Sequence, residues 1–176
     1  MTRRHSVLLV VALSCFVPLI LQAQSNALLA TGGMFITLAD PGGTMCIGGH
    51  PSGVAWPPCS PDTKQIVWRD FTAPLYLANV TGTAAAQVAG TIQARGNCNL
   101  DGNYEGSCWG TFELTALSGT WDGSWSGTLG IMDGAADLNF VGHGSGGDLE
   151  GLHLKLEVFS AGGNPYDPVP FTARVH

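Results

Sequence analysis

The stretch Gly119-Thr-Trp-Asp-Gly-Ser-Trp-Ser-Gly-Thr-Leu129 alternates without a break. Trp121, Gly123, Trp125, Gly127 and Leu129 fall on one side of it, and Thr120, Asp122, Ser124, Ser126 and Thr128 fall on the other. A two-residue period belongs to a half-buried β-strand and cannot be laid along one side of a helix. Glycines between the tryptophans relieve crowding on an inward face where a sheet coils.

The regular pattern extends outward from this strand. Strands are expected over Thr83–Arg95, Cys108–Leu117, Thr120–Ile131, Ala135–Gly144 and Leu149–Phe159, which makes four consecutive hairpins between Thr91 and Phe159. Val169–Val175 closes the chain. The connections Asp101-Gly102-Asn103, Ser118-Gly119, Asp133-Gly134 and Ser145-Gly146-Gly147-Asp148 carry turn chemistry. Asp-Gly between alternating runs is a strong hairpin signal, because both central residues of that turn need positive φ. Upstream, residues 27–39 read as a first strand, Lys64–Phe71 as a second and Pro74–Asn79 as an irregular or edge segment. Asp40–Asp62 is a long loop dense in Gly and Pro. No window of comparable length reads as an amphipathic helix.

A meander of about eight short strands leaves exposed edges unless it closes. The expected fold is therefore all-β, a closed antiparallel up-and-down barrel of about eight strands, with a β-sandwich as the alternative. A small outer-membrane barrel is a third reading. The short hairpins at both ends speak against it.

Residues 1–23 read as a signal peptide, with Arg3 and Arg4 at the start, an apolar run from Val7 to Leu21 and Leu21-Gln22-Ala23 as the cleavage site. The run is about 15 residues, short of the roughly 20 a membrane-spanning helix needs. Residues 24–176 are expected to form one domain, secreted or periplasmic, with no membrane anchor. After cleavage five Lys and Arg face all thirteen Asp and Glu, leaving a net charge of −8. That balance excludes the clustered cations a nucleic acid requires. All 25 Gly also fall after residue 23, a density that suits tight turns and closely packed strands.

Four cysteines remain, Cys46, Cys59, Cys98 and Cys108. An even count in an exported chain reads as two disulfides. Three connectivities are open. Cys46–Cys59 and Cys98–Cys108 are preferred because each pair brackets a segment rich in turn residues, the first stapling the 40–62 loop. Zinc would need closer pairs.

Trp109-Gly-Thr-Phe112, the Gly119–Gly127 run and Gly142-His-Gly-Ser-Gly-Gly-Asp-Leu-Glu-Gly151 together resemble small secreted bacterial β-barrels related to the allene oxide cyclase and dirigent barrels. The resemblance covers residues 82–159 and implies an architecture. No catalytic residue of either family maps onto this chain.

Candidate sites are few. Asn97, Asn99, Asp101 and Asn103 place oxygens at alternate positions with Gly102 sixth, as calcium loops do, but Cys108 stands where a bidentate Glu belongs. A hairpin loop is the expectation. Gly142-x-Gly144-x-x-Gly147 matches the dinucleotide fingerprint but leads into a strand, so no cofactor is expected. His143 and His153 are expected near one another, though not directly paired, as solvent-facing strand residues without a third ligand. No metal site and no catalytic group are therefore assigned. Trp68, Trp109, Trp121 and Trp125 either fill the core or line a cavity for a small apolar or ring-bearing ligand. The functional expectation is an exported barrel with a binding or structural role. A cyclase-like or hydrolytic enzyme working inside the barrel is the alternative, separated by whether the interior is filled or holds ionisable groups.

Overall fold

The computed structural model describes residues 27–36, 43–53, 58–164 and 166–176, so the expected leader at 1–23 lies outside it. Among the described residues nine strands follow in chain order: β1 Leu28–Ile36, β2 Gly43–Ile47, β3 Gln65–Thr81, β4 Gly90–Asp101, β5 Glu105–Ala116, β6 Gly119–Gly130, β7 Ala135–Gly144, β8 His153–Ala161 and β9 Val169–Val175. A single helical turn, α1 Ala85–Val88, precedes β4, and a 3-10 turn at Gly147–Leu149 precedes β8. Every neighbour is antiparallel, and β1 pairs with both β9 and β3. The sheet is thus a closed eight-stranded barrel, with β2 an additional strand on β3. Closure removes the free edges that an open meander would expose.

β3 organises one side of this barrel. It is one 17-residue strand, so the expected break between Lys64–Phe71 and an edge segment at Pro74–Asn79 is corrected. Its first part pairs with β2 up to Arg69, and its last part pairs with β1 from Leu75 onward. Pro74, which has no N–H to donate, falls between those two described ladders, where the strand tolerates it. Asp70 and Asn79 take positive φ (both 53°) at the two irregularities that let so long a strand bend around the barrel.

Three further boundaries differ from expectation. β2 lies inside the segment expected to be loop at 40–62, because the Cys46–Cys59 bridge ties it to the chain that returns at the Pro51–Cys59 bridge pair. The strand expected from Thr83 begins at Gly90. Residues 82–89 instead carry α1 across one barrel end, where Ala84 and Val88 are buried and the Trp121 indole N–H donates to the Gln87 carbonyl at 2.7 Å. The β7–β8 connection runs over residues 145–152 rather than four residues, because Leu149 turns inward and is fully buried at the same end.

The inner face follows the alternation of β6. Trp121, Trp125 and Leu129 are buried, and Trp125 stacks on Phe140 with centroids 6.0 Å apart. Its opposite partners across the sheet are Gly110 and Phe140, with Gly96 one strand further. Gly123 and Gly142 likewise leave room for the Phe112 ring. Large and absent side chains therefore alternate around the barrel as well as along it, which is how an eight-stranded interior is filled without overlap. Cys98 and Cys108 face each other across β4 and β5 on this inner side and are bridged, as are Cys46 and Cys59. Both preferred pairings are present in the structure.

Candidate functional site

The barrel interior and the outer surface around β3–β6 are the places where the sequence-selected tryptophans lie. The interior is packed by a chain of rings. Trp68 meets Phe71 edge-on at 6.2 Å, Phe71 meets Trp125 at 6.0 Å, and Phe140 meets Phe112 at 5.3 Å. Among the described residues a cavity of about 20 Å³ lies between Ile36, Phe71, Leu75, Trp125, Leu129 and Phe140. That admits little more than one water-sized body, and ligand pockets are usually of order 300–1,000 Å³. Among the described residues no Asp, Glu, His, Lys or Arg is buried. The buried phenol of Tyr104 accepts from the Cys59 N–H at 3.2 Å.

The four sequence-selected tryptophans part company here. Trp68, Trp121 and Trp125 lie inside; Trp109 lies outside, 40% exposed, and cannot line the interior. The parity of β5 explains it. Cys108, Phe112 and Leu114 point inward, so Trp109 shares the outer side with Thr111 and Glu113.

The outer ring has a partner that spacing did not reveal. The Arg69 guanidinium carbon lies 6.0 Å from the centre of the Trp109 ring. The guanidinium is held there by its own donors, to the carbonyls of Trp68 (3.0 Å) and Cys98 (3.4 Å) and to Asn99 Oδ1 (3.2 Å). Arg69 reaches this place because β3 is irregular between Trp68 and Phe71, where the Asp70 N–H donates to Asn97 Oδ1 at 3.3 Å. No local sequence signal marks such a bulge. Trp109 is flanked on its own face by its cross-strand partners Asn97 and Ser126.

The calcium-like run 97–108 folds as the expected hairpin. Asn97, Asn99 and Asp101 lie along β4 on one face, which spreads their oxygens at strand spacing instead of wrapping them about a point. Asp101 Oδ1 already accepts from the backbone N–H groups of Asn103 (2.8 Å) and Glu105 (3.0 Å), closing the turn. Calcium should accordingly leave this protein unchanged. Melting temperatures in millimolar calcium and in chelator should coincide, and a rise of several degrees with calcium would show that the carboxylate is free to bind.

Gly142–Gly147 runs from β7 into the short 3-10 turn and then β8, without the strand-to-helix context that a pyrophosphate requires. His143 and His153 are both exposed, but their placement corrects the expectation. The longer connection puts them directly opposite one another, with ring centroids 4.7 Å apart. No family model, curated protein or solved structure matches this chain.

Proposed function

We propose that this protein is an exported, disulfide-stapled barrel that binds through its outer surface and carries out no chemistry in its interior. The filled interior is the observation that carries this reading. Recognition is displaced to the outside, and Trp109 is the exposed ring best prepared for it. Trp and Arg are the residues most enriched at binding hot spots, and an indole fixed beside an immobilised guanidinium loses little freedom when a ligand arrives. Asn97, Asn99 and Ser126 around it suit a hydroxylated, ring-bearing ligand, one apolar face stacked on the indole and its hydroxyls on the amides.

Export is supported by the leader-like residues 1–23 and by two disulfides, which persist in oxidising compartments. Among the described residues no helix is long and apolar enough to cross a membrane. The outer face of β6 carries Asp122, Ser124, Ser126 and Thr128, all exposed, and the inner face is apolar. An outer-membrane barrel has the reverse arrangement, an apolar outer band and a polar lumen.

The test pairs one substitution with two probes. Trp109→Ala should change unfolding free energy by no more than about 0.5 kcal/mol, as surface positions do. Cello- or chito-oligosaccharides should change the tryptophan emission of the native protein and leave that of the Trp109→Ala variant unchanged. Saturable uptake of a small apolar probe such as 1-aminoanthracene, unaffected by Trp109→Ala, would return the ligand to the interior and sink this reading.

A further inference from the structure

His143 and His153 occupy a special position in the β7–β8 ladder. The backbone N–H and C=O of His153 are both spent on His176, at 2.9 and 3.0 Å, so they point away from β7. The neighbouring Gly144 N–H donates to the Leu152 carbonyl at 3.0 Å. His143 and His153 are therefore a non-hydrogen-bonded antiparallel pair, the kind whose Cα atoms approach to about 4.5 Å and whose side chains stand closest. Their rings meet edge to face, 72° between planes. Two imidazole nitrogens held by one cation at bonds of about 2.0–2.1 Å lie roughly 3 Å apart, which rotation of these rings can supply.

We propose that His143 and His153 form a two-imidazole surface site for a first-row divalent cation of the Zn²⁺ and Cu²⁺ class. Imidazole is a preferred donor for these ions, and two donors fixed on neighbouring strands give up little freedom on chelation. Among the described residues no cluster of three His, Cys, Asp or Glu surrounds the position, so water completes the coordination. The charges facing the pair favour a cation on balance. Asp122 stands opposite His143 on β6, and exposed Asp148 and Glu150 sit on the adjoining 145–152 turn. Lys155, the next outward residue on β8, is paired with Glu157 at 2.7 Å, and that hydrogen bond and charge hold the Glu157 carboxyl below its ordinary value. Arg174 on β9 lies opposite Lys155 and leaves one cationic edge.

Calorimetric titration of the disulfide-bonded protein with Zn²⁺ and with Cu²⁺ tests the site, in a weakly coordinating buffer near neutral pH. One ion per chain should bind, Cu²⁺ more tightly than Zn²⁺. Binding should fade in acid, because the donor imidazoles must be neutral. His143→Asn and His153→Asn should each weaken it by about tenfold or more, with thermal unfolding of the metal-free variants unchanged to show that the barrel is intact. His176→Asn should bind as the parent does, since a hydrogen-bonded pair holds its side chains farther apart. Absence of saturable binding, or unaltered affinity in either single variant, would overturn the assignment. So would an equal loss in His176→Asn, which would move the site to the β8–β9 seam.

Discussion

Trp125→Ala should cost about 3–5 kcal/mol of unfolding free energy, the range for removing a large aromatic from a packed core. Trp125 is 5% exposed, stacks on Phe140, meets Phe71 edge-on and donates its indole N–H to the Arg95 carbonyl at 3.2 Å. Neighbouring side chains are poorly placed to collapse into the space. Its partner across β5 is Gly110, Gly96 lies beyond, and neither has a side chain to move. The vacated volume would join the cavity already present beside Leu129 and Phe140, and the cost rises with the volume left unfilled. Against a typical domain stability of about 5–15 kcal/mol, that is a large share. Urea denaturation measures it, the midpoint falling without a change in slope. A loss below about 1 kcal/mol would mean that the ring is not part of the packed interior.

This contrast between Trp125 and Trp109 shows what the sequence makes legible. Strand parity is local and strict. In β6 every second residue from Trp121 to Leu129 faces inward as the alternation requires, and the same rule applied to β5 places Trp109 beside Glu113 on the outside. Parity decides both rings, whereas residue type alone does not separate the outward Trp109 from the inward Trp125. The Asp-Gly pairs mark turns but not the two-residue turn with two positive φ angles: after Asp101-Gly102 the positive φ falls on Tyr104 (66°), and in Asp133-Gly134 only Gly134 takes it (71°).

Longer-range features were hidden for a different reason. The approach of Arg69 to Trp109 depends on a bulge in β3, and bulges arise from pairing across the sheet. The His143–His153 pairing depends on a connection whose length is set by Leu149. Its apolar side chain, three residues before Leu152, reads as the start of the apolar strand although it is out of step with the Leu152, Leu154 and Leu156 alternation. Its actual task is to seal the barrel end near α1, a demand of the closed sheet that no short window of sequence records. The filled interior, from which the functional reading follows, is likewise a property of all eight staves together.

Gly123 is where that filling is least forgiving. Its backbone is not in the left-handed region, so any cost of a side chain there is steric. A Cβ at this position would overlap the Val141 carbonyl, approach Gly142 Cα to 2.6 Å and meet Phe112 Cε1 at 2.8 Å. The first two contacts are main chain of the neighbouring strand β7, which can yield only by separating the strands. Gly123→Ala should therefore destabilise by about 1–3 kcal/mol, and Gly123→Leu by about 3 kcal/mol or more, the upper end of overpacking costs. Trimming the ring should recover only part of this. In the double variant Gly123→Ala with Phe112→Leu, the aromatic obstacle is removed while Val141 and Gly142 remain, so the coupling measured by a double-mutant cycle should be favourable but incomplete. Complete rescue would place the whole restraint in Phe112, and a silent Gly123→Leu would show that this row of β6 faces open space.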